Sequence, residues 1–418
     1  METLNQKQKE ISEKIKSGKN AFITGFAGSG KSYLINHICT VLHENKKSYA
    51  KTAMTGCAAI LIDGYTLHST LGIGLGKGEP KDLLKRIRRR EGLLPMLLNL
   101  NVLIIDEVSM LSDTLFDKIA ELFKLIHNSD KPFGKLQIIL IGDMSQLKPV
   151  EGEYCFYAEC WDSCNIEVSV LTENMRVNTD TRFDDLLQKL RWGIISDLEL
   201  IEKMKKTVFE GDILPTKLFS KNKDVDSINN FELMSLLKEG KDSKEYKIIY
   251  PTNPIKLITS TKYTNDNKFD EFLKICVGAQ VMVTRNLDFD LQIVNGTRGV
   301  VVALSETGVS IKLVNGTICN IGYFHVKDES ERFGDTSMKN IDFKYIPLKL
   351  SWAMSIHKSQ GATIDRLEID LGESIFACGQ AYVAISRARN SDSVKITKFN
   401  PKSVKVSKSV VNFYNKYQ

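Results

Sequence analysis

Over the first 170 positions, apolar runs of four to seven residues alternate with longer stretches of helical period. That rhythm predicts a parallel α/β sheet. The strands expected from it are AFIT (21–24), SYAKTAM (48–54), NVLIIDE (101–107) and LQIILIG (136–142). Between the second and third lies GIGLGKGEPKDLLKRIRRREG (72–92), an insertion that is glycine-rich and then basic. Farther on, KICVGAQVMVTRNL, VNGTRGVVVAL and VSIKLVNGTICNIGYFHV alternate apolar and polar residues between glycine-bearing turns. This period of two predicts a small antiparallel sheet or barrel. The α/β pattern then returns with IPLKLSWAMSI, LEIDL and a helical AYVAISRA. The reading is one α/β lobe, a second α/β lobe, and a β module inserted into the second.

Composition narrows the class only a little. The chain has 418 residues, too many for one ordinary core. A net charge of +6 and a pI near 8.7 suit a polyanionic partner without establishing one. No run of about 18 apolar residues predicts a membrane span. The opening METLNQKQKEISEKIKSG reads as a polar amphipathic helix, with neither a secretory core nor an import signal. Eight cysteines without close pairing point to a reducing, intracellular compartment, cytoplasmic for a bacterial or viral protein, with the nucleus left open. The spacing of Cys155, Cys160 and Cys164 misses the usual zinc pairings, so ordinary thiols are expected there.

The chemistry begins at GFAGSGKS (25–32), which follows a strand and opens a helix. Its glycines let backbone N–H groups wrap a phosphate at the positive end of a helix. Gly28, Ser29 and Gly30 would line this loop, Lys31 would reach the β- and γ-phosphates, and Ser32 would ligate Mg²⁺. Asp106 and Glu107 arrive at the carboxyl end of a buried strand, where open α/β sheets place ligands. Asp106 would hold Mg²⁺ and Glu107 would polarise the attacking water. An acidic pair at a strand end is unremarkable by itself; its place after a phosphate loop makes it catalytic. In LIGDMSQLKPV, Asp143 and Gln146 end another strand, as an ordinary polar turn or as a γ-phosphate sensor.

The ordered set resembles the Pif (petite integration frequency) family of superfamily-one, RecD-like 5′-to-3′ DNA helicases, from about residue 4 to residue 390. LNQKQ resembles the adenine-recognising motif, with Gln8 as adenine ligand. TAMTGCAAILIDGYTLHS resembles the first single-strand contact segment, and DEVSMLSDTLFDKI the signature that continues from the acidic pair. LTENMR and AYVAISRAR resemble the motifs whose arginines, here Arg176 and Arg387, meet the γ-phosphate. VGAQVMVTRN and IVNGTRG resemble the lead into an SH3-like module, and SIHKSQGATID the penultimate motif.

The resemblance implies two RecA-like lobes. The first, 1–172, would carry a strand-separating wedge at 73–98; the second, 173–280 and 346–418, would be interrupted by an SH3-like module at 281–345. Thr55, Gly56, His68, Asn295, His357 and Lys358 would meet DNA, and Gly361 would face the nucleotide beside Arg387. ATP and Mg²⁺ are the implied cofactors. Single-stranded DNA and tailed or forked duplexes are the implied partners, handled by a monomer in DNA repair, recombination or replication. The chain departs from the family pattern at Met144-Ser145, Thr70 and Val177, so base stacking on aromatic side chains is not expected at the first two points.

Arginines outside the phosphate-loop lobe can reach ATP only if two lobes close over it, and such an arginine is worth about 10³–10⁵ in rate. The basic run KRIRRREG (85–92) reads as a solvated helix face, a nuclear-localisation run or a flank of the nucleic-acid path. Two other functions fit parts of the pattern: a non-catalytic nucleic-acid loading factor with a helicase-like body, and the motor subunit of a nuclease or relaxase complex.

Overall fold

The computed structural model describes residues 4–175, 180–211, 213–220, 222–266, 269–285, 287–288, 291, 293, 295–327 and 340–417. The first lobe is built on six strands: β1 (Ala21–Gly25), β2 (Tyr49–Ala53), β3 (Tyr65–Thr66), β4 (Val102–Asp106), β5 (Gln137–Gly142) and β6 (Glu167–Leu171). They are parallel and lie in the order β3-β2-β4-β5-β1-β6. The expected strands are thus β1, β2, β4 and β5.

Because strand side chains alternate, one hydrophobic run feeds two cores. Val102 and Ile104 join Ile139 and Ile141 on one face, while Leu103 and Ile105 join Ile138 and Leu140 on the other. Both faces must then be covered, as in any parallel sheet. Helices Gln6–Lys16 and Lys31–Glu44 cover the first through Ile11, Ile15, Leu34 and Ile38. Helix Asp113–His127 covers the second through Phe116, Ile119 and Phe123, and begins at Ser112, whose hydroxyl accepts from the Leu115 N–H.

Two further elements join that second face. The insertion forms helices Pro80–Arg88 and Leu93–Asn99, which bury Leu83, Ile87 and Leu97 in the same core. Lys85, Arg86, Arg88 and Arg89 stay on its exposed side. Helix Lys408–Tyr414, which follows the whole second lobe in sequence, returns to the first and inserts Val410, Phe413 and Tyr414. Phe413 stacks on Phe156 with ring centroids 4.4 Å apart.

The second lobe carries four parallel strands in the order Ala353–Ser355, Thr216–Phe219, Leu367–Leu371 and Val394–Phe399. Helices Thr181–Arg191, Leu198–Lys205 and Gln380–Ile385 pack around it through Phe183, Leu187, Ile201 and Val383. Inserted into this lobe is an antiparallel five-stranded sheet, ordered Ile318–Gly322, Gly308–Leu313, Arg298–Leu304, Gln280–Val283 and Leu348–Leu350. Its last strand lies past residue 345, so the sheet spans slightly more chain than the 281–345 stretch expected for the module. Arg298 ties sheet to lobe: fully buried, its guanidinium donates to the Ser351 carbonyl at 3.1 Å and to the Leu214 carbonyl. No helix among the described residues is long and apolar enough to cross a membrane.

Candidate functional site

Strand order assembles the site. β1 lies beside β5, and β5 beside β4, so the residues following each strand converge at one carboxyl edge. After β1 the chain turns through Gly28 and Gly30, both at positive φ (97° and 82°), and enters helix Lys31–Glu44. A Cβ on Gly30 would meet Gln8 Nε2 and Met175 Cγ at 2.9 Å each, so a side chain there would displace both and also bear the left-handed backbone. The Lys31 ammonium rests on the Gly25 and Phe26 carbonyls at 2.8 and 2.9 Å. Burial lowers its pKa, against the opposing pull of Asp143, Glu107 and Asp106.

Gln8 reaches the same loop from the first helix. Its Oε1 accepts from the Asn5 N–H at 3.1 Å, closing a reciprocal capping box, and this leaves Nε2 buried without a partner beside the phosphate loop. Ser29 Oγ and Glu107 Oε2 are likewise buried and unpartnered, while Ser32 at the helix start is exposed. A cluster of orphaned polar atoms around one loop is the sign of a ligand site.

β4 ends at Asp106, whose Oδ1 accepts from the Glu107 N–H at 2.8 Å. Glu107 itself sits in the left-handed region at φ 52°, a strained position for a side-chain-bearing residue. Burial raises the pKa of both carboxyls; Glu107's charge adds to the rise at Asp106, while Arg387 and Lys31 oppose it at Glu107.

The loop after β5 behaves differently from a sensor with an open carboxylate. Asp143 is fully buried and already engaged: Arg191 Nη2 donates to Oδ1 at 3.0 Å, and the Tyr382 hydroxyl to Oδ2 at 3.1 Å. The Tyr414 hydroxyl stands 3.4 Å from Oδ1 and accepts from the Met144 N–H at 3.0 Å. Asp143 therefore joins elements instead of reaching for phosphate. Gln146, 4% exposed, also faces across: its Oε1 accepts from Gln360 Nε2 of the second lobe at 3.3 Å.

The second lobe closes this edge. Gly361, at φ 78°, lies so close that a Cβ there would be 3.0 Å from Leu61 Cδ1 and 3.8 Å from Glu107 Oε1. Arg387 is 5% exposed, its guanidinium donating to the Val383 carbonyl at 2.9 Å and the Ala362 carbonyl at 3.3 Å. Arg176 and Val177 lie outside the described residues.

Of the residues expected to meet DNA, Thr55 and Gly56 open helix Gly56–Leu61, where the Thr55 hydroxyl accepts from the Ala58 N–H at 3.2 Å. His68 is half-buried on helix Leu67–Leu71, and burial lowers its pKa. His357 and Lys358 follow the strand Ala353–Ser355, half-buried and exposed respectively, with the His357 pKa lowered by burial. Asn295 precedes Gly296, on which any Cβ would overlap the Thr363 carbonyl, so the IVNGTRG turn lies against the SIHKSQGATID segment. Thr70 and Met144 are both buried, so neither presents a surface to a base.

Tyr382, Arg191 and Tyr414 were not legible as site residues. Tyr382 lies within the AYVAISRAR motif, where only Arg387 was singled out, and LQKLRWG and NFYNKY carry no local signal at all.

A family model described as PIF1-like helicase matches residues 3–199, and one described as DNA helicase Pif1, 2B domain, matches residues 267–304. ATP-dependent DNA helicase PIF1 of Xenopus laevis is 36% identical over 423 residues, covering 99% of this chain and 64% of that protein. The Danio rerio relative is covered to the same 64%, so the chain spans about two thirds of the length of these relatives. Among solved structures, Pif1 helicase from Candida albicans matches with TM-score 0.79 and 30% identity over 100% of both chains. Bacteroides Pif1 in complex with ADP-AlF4 matches with TM-score 0.80 and 26% identity over 100% of this chain and 97% of that one. Bacteroides Pif1 in complex with ADP-AlF3 and single-stranded DNA matches with TM-score 0.69 and 27% identity, over 100% and 98%. Together with the ordered phosphate loop, acidic pair and closing second lobe, these matches show that the chain belongs to the PIF1-like helicase family.

Proposed function

We propose that the chain is an ATP-dependent DNA helicase that translocates 5′-to-3′ on single-stranded DNA and unwinds tailed or forked duplexes. The observation that carries this reading is the seating of Gly361 beside Glu107, with Arg387 held close enough to act on the Glu107 charge. A site formed from both lobes makes hydrolysis depend on closure, and closure on ATP, which is the bistable element a motor requires. Lys31 binds the β- and γ-phosphates, Gln8 Nε2 meets the adenine, Glu107 orients the attacking water, and Arg387 with Arg176 neutralises charge developing on the γ-phosphate.

The hydroxyl of Ser32 and the carboxylate of Asp106 are the hard oxygen donors that suit Mg²⁺, and they would hold it. When bound, the ion would offset phosphate charge that the buried Asp106–Glu107 pair cannot. Thr55, Gly56, His68, Asn295, His357 and Lys358 would line the strand's path, with the exposed arginines of helix Pro80–Arg88 flanking it through phosphate contacts. The helices of the 73–98 insertion would serve as the strand-separating wedge, and the antiparallel sheet as the SH3-like module. The protein would act as a monomer, inside the cell.

Two partial duplexes, one with a 5′ tail and one with a 3′ tail, test the reading. Wild type should unwind the 5′-tailed duplex, and Lys31→Ala should lose DNA-stimulated ATPase while still binding single strands. Unwinding of only the 3′-tailed substrate would remove the polarity, and full activity of Lys31→Ala would remove the mechanism.

A further inference from the structure

One hydroxyl joins the helix that leads into Arg387 to both walls of the phosphate site. Tyr382 lies in helix Gln380–Ile385, its ring 2% exposed in the second lobe's core. Its hydroxyl donates to Asp143 Oδ2 at 3.1 Å and accepts from the Ala27 N–H at 3.2 Å. Ala27 is inside the phosphate loop and Asp143 directly follows β5, so both partners belong to the first lobe. The Arg191 guanidinium keeps Asp143 paired, and a hydroxyl donating to a buried carboxylate is a strong, directional bond. Burial, with the Asp143 charge, pushes the Tyr382 phenol well up, so it stays a donor.

The helix that carries this hydroxyl also holds the arginine. The Val383 carbonyl, next to Tyr382 in sequence, accepts from Arg387 Nε at 2.9 Å. At the helix start, Gly379 touches the sensor loop so closely that a Cβ would be 2.6 Å from the Gln146 carbonyl oxygen. Seating the helix on the first lobe thus sets where the guanidinium stands relative to the phosphate loop.

We propose that Tyr382 is a positioning residue for hydrolysis, its hydroxyl registering the helix that anchors Arg387 against Ala27 and Asp143. The proposal rests on the reading of Arg387 as a γ-phosphate arginine. Tyr382 touches no reacting atom; it acts through the arginine. A misplacement of about 1 Å in such a group costs about a hundredfold in rate.

The test is a double-mutant cycle of Tyr382→Phe and Arg387→Ala, read by single-turnover ATP hydrolysis with saturating single-stranded DNA, by KM for ATP and by the urea midpoint. Tyr382→Phe keeps the ring and its packing. It should slow hydrolysis about 10- to 100-fold with KM within about threefold of wild type, and the double variant should be no slower than Arg387→Ala alone. Tyr246→Phe, which removes a buried hydroxyl bonded to the Ser305 and Gly308 carbonyls, away from the site, should stay within about threefold of the wild-type rate. A wild-type rate for Tyr382→Phe, multiplicative effects in the double variant, or an equal loss in Tyr246→Phe would each overturn the proposal. If Arg387→Ala itself hydrolyses at the wild-type rate, the arginine reading falls, and the Tyr382 proposal with it.

Discussion

Gly379 offers a substitution whose cost can be worked out atom by atom. It caps helix Gln380–Ile385 at φ 78°, where an L-residue costs about 1–2 kcal/mol. A Cβ added there would also stand 2.6 Å from Gln146 O, 2.7 Å from Ser145 O and 2.8 Å from Gln146 C. These are backbone atoms, so the neighbours cannot rotate away and the helix must lift off the sensor loop. Overpacking of this kind costs about 1–3 kcal/mol more. Gly240 provides the matching reference: its φ is 75°, and nothing lies within 4 Å of its Cβ position. Gly379→Ala and Gly240→Ala therefore share the backbone penalty and the unfolded-state gain of about 0.4–1 kcal/mol from losing a glycine. The difference between their urea denaturation midpoints isolates the contact, and Gly379→Ala should be the less stable by about 1–3 kcal/mol. Its DNA-stimulated kcat should fall while that of Gly240→Ala does not. Equal midpoints for the two variants would refute the close seating of helix on loop.

Other perturbations probe the frame around the site. Phe413→Ala empties a buried, stacked position in the first lobe's core and should cost about 3–5 kcal/mol in urea denaturation, although it lies far from β1 in sequence; a loss below about 1 kcal/mol would mean the last helix is not part of that core. Asp342 accepts from His325 Nε2 at 2.7 Å and lies 3.2 Å from the Lys256 ammonium, and these partners hold its carboxyl below the usual range. An acid with a depressed folded pKa lends stability that is full above its unfolded value of about 3.9 and fades as pH falls through the folded value. His325→Gln should therefore lower the denaturation midpoint at pH 7 but not at pH 2, and an undiminished deficit at pH 2 would refute the pairing.

The convergence of the phosphate loop and acidic pair at one sheet edge was legible because its signals are local. Gly25 to Ser32, and then Asp106-Glu107, are short motifs at strand ends, and parallel strand order brings such ends together without further instruction. The antiparallel sheet showed most clearly through the period-two alternation of 309–313. What remained hidden depends on contacts between distant positions. The bond between Tyr382 and Asp143 joins residues 239 apart, and that between Thr24 and Tyr414 residues 390 apart. A tyrosine within YVAI looks like core, and it is core; only the partner of its hydroxyl makes it more. From its place after a strand Asp143 read as a polar turn or as a γ-phosphate sensor; that Arg191 and Tyr382 engage it from the second lobe was not visible in the sequence.

The return of helix Lys408–Tyr414 to the first sheet bears on how the protein comes into being. During synthesis the phosphate-loop sheet emerges early, with one apolar face lacking Val410, Phe413 and Tyr414. Domains usually fold as they leave the ribosome, amino-terminal units first. Here the first unit must wait, partly unsealed, while the whole second lobe and its inserted sheet are made and folded. The Thr24–Tyr414 bond can close only then, and contacts this distant in sequence form slowly. A nascent chain would complete its nucleotide pocket only after the second lobe, so ATP binding to ribosome-bound intermediates should first appear when residues 408–414 have cleared the exit tunnel.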